Sequence, residues 1–365
     1  MKKILVLANS SKGVYGFRNE FILKMLEEYE VFVSVPDDVC TGELEEEGCN
    51  ILQTPINRRG MNPVEDFKLL LCYRKLLKEI KPDVVLTYTI KPNIYGGFAC
   101  RIGGVPYMAT ITGLGSAMEG DGVLQKLTTF LYKVSMKKAD CIFFQNDMNM
   151  QIFQKRNIKG KKQKRVSGSG VDLDRFPYMD MPDGDVIRFV FVSRIMKEKG
   201  IEQYLEAAKQ IRDKYSNTEF WILGNCDEEY KEQLAKLHEE KKVSYFGMQK
   251  DVPKYLKDVH CLVHPSFYPE GMSNVCLEAA ACGRAVITTK RTGCRETVDD
   301  GISGYLVEEK SASQLAEAME RFLRLTKEEC IQMGRRGRQK VESEFDRKKV
   351  TQSYMEEIHL LLKDK

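Results

Sequence analysis

Histidine is scarce in this chain, with only 4 in 365 residues. His260 and His264 are the one close pair, but the residues between them read as strand, which would hold them about 13 Å apart. A shared metal ion is therefore not expected, and linear spacing shows no other His/Cys/carboxylate cluster. There is no C-x-x-C pair, and the 11 cysteines are odd in number and scattered, as reduced thiols filling a core would be. No apolar stretch is long enough to cross a bilayer, and the run at residues 4–8 is too short for a signal peptide. Charge is nearly balanced, 57 − 53 = +4, which argues against a nucleic-acid partner. Internal repeats and low-complexity tracts are absent, and the loop after the first strand lacks the G-x-G-x-x-G fingerprint of an NAD enzyme. What these absences leave is a soluble enzyme of two domains, too long for one ordinary core, expected in the cytoplasm and free to lie on a membrane.

Apolar strand patterns alternate with helical ones, which predicts parallel sheets in both halves. In the first half, strands are expected at residues 3–8, 31–35, 83–88, 107–112 and 141–144, and helices at 17–28, 66–80, 93–102, 124–138 and 145–159. Residues 160–165 are basic and turn-rich and read as a hinge, and a Pro/Asp/Gly stretch at 177–185 precedes the second unit. That unit offers strands at 186–192, 220–223, 243–246, 261–264 and 285–288, with closing helices within 341–362. The expected architecture is α/β, with two doubly wound Rossmann-like domains facing a central cleft.

Glu270 opens the run Glu-Gly-Met-Ser-Asn-Val-Cys-Leu-Glu-Ala-Ala-Ala-Cys-Gly, in which Glu278 is the only other acid before Gly283. Ser273 suits an N-cap, residues 274–282 are rich in Ala, and Gly283 suits the position just past a helix. Such a helix would aim unpaired N–H groups and its positive dipole end at the preceding loop, which favours phosphate. The carboxylates would repel a bare phosphate but accept hydrogen bonds from sugar hydroxyls. The combination suits a nucleotide-sugar, although the same residues also fit a capped helix with solvated acids.

Arg194 and Lys199 fall between the 186–192 strand and a helix at 201–211. Ligands of open α/β sheets bind at that carboxyl edge. A guanidinium fork and a mobile ammonium suit a diphosphate that leaves with growing negative charge. Both residue types are also the ones usually left in solvent. In the opening loop, Gly13 and Gly16 either allow close backbone approach to a ligand or simply form a turn.

Three segments carry a resemblance: Pro265-Ser266 through Glu270-Gly271 to Glu278 and Cys282-Gly283; Ser193-Arg194 with Lys199-Gly200; and Gly170-Val171-Asp172 with Phe176. Together they resemble the retaining family-4 glycosyltransferases of the GT-B fold, over nearly the whole chain. Phe17-Arg18, Lys91-Pro92-Asn93 and Thr112-Gly113-Leu114-Gly115-Ser116 are similar to the branch that adds a hexose or N-acetylhexosamine to a polyprenyl-diphosphate-linked sugar. That branch serves capsule, exopolysaccharide and N-glycan precursor synthesis.

The resemblance implies that residues 1–165 bind the acceptor, with 346–365 packing back on them, and that 166–345 bind the nucleotide-sugar. It implies that Arg194 and Lys199 hold the donor diphosphate and that Glu270 lies by the transferred sugar. The backbone of Gly271, Met272, Ser273 and Asn274 would face sugar and phosphate, and Glu278 would grip the ribose. Gly224 would lie by the nucleobase, expected to be that of UDP, and Gly13 would face the diphosphate or sugar. Arg18, Lys91 and Asn93 would meet the acceptor. Front-face displacement, in which a donor phosphate oxygen takes the acceptor proton, would need no separate base, no cofactor and no metal.

The chain departs from the family at one point. Many members carry a histidine near the donor sugar where this one reads Ile111-Thr112-Gly113, so Thr112 or the Gly113 backbone would have to supply that contact. Basic residues within 124–138 and 159–165 suit the inner leaflet of the cytoplasmic membrane, at about 1 kcal/mol per Lys or Arg near an anionic surface. They equally suit a core helix and a solvated hinge. The expected partners are thus a nucleotide-sugar, a polyprenyl-diphosphate-sugar and the inner leaflet, with a cytoplasmic, peripheral location. A GT-B nucleotide-sugar epimerase and a non-catalytic nucleotide-sugar-binding module stand as alternatives.

Overall fold

Alternating and continuous apolar strands set the architecture of both halves of the chain. The computed structural model describes residues 1–57, 60, 62–115, 118, 122–226 and 228–363, the side chain of residue 228 excepted. Ser116 of the 112–116 motif lies outside the described residues. The chain divides into two compact units, Met1–Gly170 with Arg347–Lys365, and Val171–Asp346.

In the first unit, β1 (Lys3–Leu7), β2 (Glu30–Val35), β3 (Asn50–Gln53), β4 (Val84–Tyr88), β5 (Tyr107–Ile111), β6 (Cys141–Phe144) and β7 (Gln163–Arg165) form one sheet. All neighbours are parallel, in the order β3-β2-β1-β4-β5-β6-β7. The connections carry α1 (Ser11–Leu26), α2 (Thr41–Glu46), α3 (Pro63–Ile80), α4 (Gly97–Gly103), α5 (Val123–Met136) and α6 (Asp147–Lys155). Side chains alternate across the sheet: Ile4 and Val6 enter one core with Phe21 and Val31, whereas Leu5 and Leu7 enter the other with Tyr73 and Tyr132. Both faces are covered, as a parallel sheet requires.

The second unit repeats the plan with β8 (Ile187–Val192), β9 (Thr218–Leu223), β10 (Ser244–Tyr245), β11 (Cys261–His264), β12 (Ala285–Thr289) and β13 (Gly304–Val307). Its parallel order is β10-β9-β8-β11-β12-β13. The helices are α7 (Ile201–Lys214), α8 (Glu228–Glu239), α9 (Pro253–Leu256), α10 (Asn274–Ala281), α11 (Ala312–Leu323) and α12 (Lys327–Glu344). Helix α13 (Arg347–Lys363) then belongs to the first unit. There Tyr354 packs between Phe21 and Phe143, at centroid distances of 5.1 and 4.2 Å. Lys162 and Lys164 reach the buried Glu357 carboxylate at 2.5 and 3.3 Å.

Three sequence expectations change. Residues 160–165 are not simply a hinge, because Gln163–Arg165 is an edge strand paired in register with Ile142–Phe144. The division falls after Gly170 instead of 165, since Val166 sits in the first unit's core and Gln145 Nε2 donates to Ser169 Oγ at 3.2 Å. Helix α1 starts at Ser11, six residues before the expected 17, because the Ser10 hydroxyl accepts from the Gly13 N–H at 3.3 Å and caps it.

Tyr354→Ala removes the ring that ties α13 to α1 and β6, and a buried aromatic truncated to Ala costs about 3–5 kcal/mol. The expected result is an earlier unfolding midpoint in chemical denaturation for the first unit, with the second unit's transition unmoved.

Candidate functional site

In the second unit, β8 and β11 lie side by side at the point where strand order reverses. From β8 the chain passes Arg194, makes a 3-10 turn at Lys197–Lys199 and enters α7 through Gly200. Gly200 has φ 80°, and a Cβ there would meet the Pro265 carbonyl oxygen at 2.2 Å, so only glycine fits. From β11 the chain runs through Pro265 to Glu270, and the Phe267 N–H donates to the Glu198 carbonyl at 2.9 Å. Backbone thus clamps one loop to the other.

The clamp brings the Lys199 ammonium into direct contact with the Glu270 carboxylate, each side chain 12% exposed. Tyr268 lies under both cations, its ring centroid 5.0 Å from Lys199 Nζ and 6.0 Å from the Arg194 guanidinium. Arg194 itself is exposed. Burial, with the Arg194 charge adding to it, pushes the Lys199 ammonium down to about 8. The touching Glu270 carboxylate works against that and favours the charged form. Gly293, at φ 91°, packs on the Glu270 backbone, where a Cβ would meet its carbonyl oxygen at 3.0 Å.

Helix α10 begins beside this pair. Ser273 occupies the N-cap position, but its hydroxyl makes no cap bond and donates to Cys276 Sγ at 3.3 Å. The expected side-chain cap is absent because the buried thiol has captured the hydroxyl. The Ser273 N–H donates to the Gly293 carbonyl at 2.6 Å. Gly271, Met272 and Ser273 are buried, and Asn274 Oδ1 is buried without a hydrogen-bond partner among the described residues. Glu278 lies one turn along from Asn274, half-buried on the same helical face. Gly283 ends the helix at φ 74°.

Sequence spacing did not show a cluster that the fold makes. His264, Glu270 and Cys294 bring a nitrogen, a carboxylate oxygen and a sulfur within 4.8 Å of one another. The parallel register His264↔Thr288 carries the Cys294 loop to this place. Both His264 nitrogens are buried without a hydrogen-bond partner among the described residues. Burial and then the Lys199 charge hold the imidazole well below its usual range, and burial pushes the Cys294 thiol up to about 12. Lys199 already neutralises Glu270, so a bound cation would face an ammonium at contact.

Gly224 closes β9 at φ 146°, where a Cβ would lie 1.6 Å from the Ser193 carbonyl oxygen. Its N–H donates to Gly247 O at 2.8 Å and its carbonyl accepts from Tyr245 Oη at 3.1 Å. Both polar groups are therefore spent within the protein, and the glycine is needed for close packing of β8 on β9.

The first unit rearranges the expected acceptor residues. Asn93 is 1% exposed, accepts from the Thr87 hydroxyl at 2.7 Å and donates to the Thr110 carbonyl at 2.9 Å. It braces β4 against β5, both side-chain groups being bonded within the protein. Lys91 is bound to Asp66 at 2.6 Å. Arg18 is 6% exposed, its guanidinium 5.0 Å from the Tyr88 ring centroid and 6.0 Å from that of Tyr354. Gly13 and Gly16 lie in the first turns of α1, and a Cβ at Gly16 would meet nothing within 4 Å, so internal packing does not require that glycine. Thr112 and Gly113 (φ 145°) follow β5 at its carboxyl end. Sequence reading missed Thr89, whose φ of 73° is strained for a β-branched residue and whose hydroxyl is buried without a partner among the described residues.

Family models cover both units: "Glycosyl transferase 4-like" matches residues 3–146 and "Glycosyl transferases group 1" matches 182–340. The crystal structure of Anabaena HepE in complex with UDP and glucose superposes with a TM-score of 0.81 at 16% identity, covering 98% of this chain and all of that one. The chain is a GT-B glycosyltransferase. Among sequence relatives, the N,N'-diacetylbacillosaminyl-diphospho-undecaprenol alpha-1,3-N-acetylgalactosaminyltransferase of Campylobacter jejuni is 27% identical, with 88% of this chain and 89% of that protein covered. The Escherichia coli UDP-Gal:alpha-D-GlcNAc-diphosphoundecaprenol alpha-1,3-galactosyltransferase is 28% identical over 68% of each.

Because the Ser273 hydroxyl caps nothing, Ser273→Ala is expected to cost well under the ~1 kcal/mol typical of a lost N-cap. Urea denaturation of the second unit measures it, and a full cap-sized loss would contradict the geometry.

Proposed function

We propose that this glycosyltransferase moves a hexose or N-acetylhexosamine, with retention, from a nucleotide-sugar, probed first as UDP-sugars, to a polyprenyl-diphosphate-linked sugar. The observation that carries the reading is the Lys199–Glu270 contact beside Arg194 and the start of α10. Two cations face the place where a leaving diphosphate gathers charge, and carboxylates stand where sugar hydroxyls need acceptors. Arg194 and Lys199 hold the diphosphate, Glu270 the transferred sugar, and Glu278 the ribose, with the backbone of Gly271, Met272 and Asn274 facing sugar and phosphate, while the Ser273 N–H is already held by the Gly293 carbonyl. Undecaprenyl-diphosphate acceptors in the names of the Campylobacter and E. coli relatives support the acceptor class. The reaction proceeds without a metal, since the leaving charge is met by Arg194 and Lys199.

A lipid-linked acceptor places the protein at a membrane surface. No helix among the described residues is long and apolar enough to cross a membrane. Helix α5 instead exposes Val123 (84%), Leu124, Leu127 and Phe130 (61%), beside Lys126 and Lys133 and without one acidic residue. An amphipathic, cationic face of this kind suits peripheral contact with an anionic inner leaflet.

The test is incubation with a panel of nucleotide-sugars and a short polyprenyl-diphosphate-N-acetylhexosamine, with mass spectrometry of the lipid. A gain of one hexose or N-acetylhexosamine with a single donor is expected; an epimerised donor or no product would favour the alternatives. Lys199→Ala is expected to lower kcat by about 10²-fold or more, the scale of a lost charge-stabilising donor. Burial lowers the pKa of the Lys199 ammonium to about 8, within reach of an alkaline pH profile. Turnover should therefore fall as pH rises through about 8, and Lys199→Arg, whose cation does not titrate there, should flatten the alkaline limb. Exhaustive chelation is expected to leave the rate unchanged; its loss on chelation and return with added metal would overturn the metal-free reading.

A further inference from the structure

A cavity of about 630 Å³ opens at the carboxyl edge of the first unit's sheet, between the ends of β2 and β3 and the first turns of α3. We infer that this cavity is a subsite for a neutral sugar of the acceptor, with Asp66 reading its hydroxyls; the assignment rests on the transfer reaction proposed above. Charge is presented there as a fixed pair. Lys91 and Asp66 are each 14% exposed and are joined at 2.6 Å, and Tyr95 Oη donates to the other Asp66 oxygen at 2.8 Å. Lys91 is tied to an Asp66 that Tyr95 also holds, so this carboxylate is not free to turn away and release the ammonium to a diphosphate. At Lys91 the acceptor contact is therefore with a sugar and not with a diphosphate.

A fixed ion pair presents both signs at once, which matches a hydroxyl, at the same time donor and acceptor. Asp66 is held by two donors, so its orientation is set before a ligand arrives, and a carboxylate retains further acceptor sites beyond those two. Part of the lining is apolar, from Pro36, Pro55, Ile56 and Leu69. That wall suits the C–H face of a pyranose and the methyl of an acetamido group. Glu65 and Lys68 also line the cavity, so with Asp66 and Lys91 its charges balance and it offers no net cationic field to draw a sugar that is itself an acid. The ligand class is thus a neutral hexose or N-acetylhexosamine, and a uronic acid is disfavoured.

The experiment pairs binding with turnover, on the full chain. Saturation-transfer NMR would compare methyl N-acetylglucosaminide with methyl glucuronide, for the wild type, Asp66→Asn and the cavity-filling Cys72→Phe. Transfer assays would use short polyprenyl diphosphates carrying the same two sugars. Both variants are expected to raise acceptor KM by about tenfold, a lost charged hydrogen bond or an occluded cavity, while donor KM and donor hydrolysis by water stay constant. Saturation of the neutral glycoside should weaken in both variants, and the glucuronide should show little in any protein. Acceptor KM and saturation unchanged in Asp66→Asn, which keeps the side-chain shape, would overturn the assignment while leaving transfer intact. Saturation lost in the variants, with no lipid-linked sugar elongated by the wild type, would retire the proposed reaction and keep the cavity as a sugar site.

Discussion

The contact between Lys199 and Glu270 is the constraint on which the second unit's working edge depends. Neither charge is tolerable alone at that burial, since an unpaired buried ion costs several kcal/mol. The pair exists only because β8 and β11 are neighbours and their loops are locked by backbone. Gly200 under Pro265 and Gly293 against Glu270 are the two places where a side chain would push the loops apart. Charge, glycine and strand order are therefore one design. Removing any of them releases the others.

That pairing also explains how a lysine can serve both fold and chemistry. Desolvation brings its pKa down to about 8, while the carboxylate in contact favours the protonated form. A ligand diphosphate arriving at Arg194 and Lys199 would compete with Glu270 for the ammonium. Glu270 would then be free to turn to a sugar hydroxyl. Tyr268, under both cations, keeps them over one aromatic face while the exchange occurs.

The local parts of this arrangement were legible in the sequence because they are written in consecutive residues. The apolar run at 187–192, the four buried residues of β11 and the Ala-rich α10 announce themselves by periodicity, and the turn glycines by position. What was not legible is whatever depends on register. Cys294 reaches His264 only through the pairing of β11 with β12, and Lys91 finds Asp66 across 25 residues. The bracing role of Asn93 was hidden for the same reason: a polar residue in a short motif does not show that it joins β4 to β5. The strands β3 and β13, four residues each, and the mostly polar α2 offered too little pattern to be seen. Ser273 illustrates a finer limit, for its position is that of a cap and only the neighbouring thiol decides that it caps nothing.

The two units present their charges differently, and the difference bears on what each can hold. In the second unit Arg194 is exposed and Lys199 touches the Glu270 carboxylate, which on the proposed reaction the donor diphosphate displaces. In the first, Lys91 is tied to an Asp66 that Tyr95 holds from the other side, and Arg18 is buried against two tyrosine rings. Exchangeable cations favour phosphate, whose charge rises as the bond to the sugar breaks. Braced, neutralised pairs favour hydroxyls, whose charge does not change on binding and whose recognition needs fixed geometry more than field. On the proposed reaction this division follows from chemistry: the donor must be let go after transfer, and the acceptor must be chosen before it.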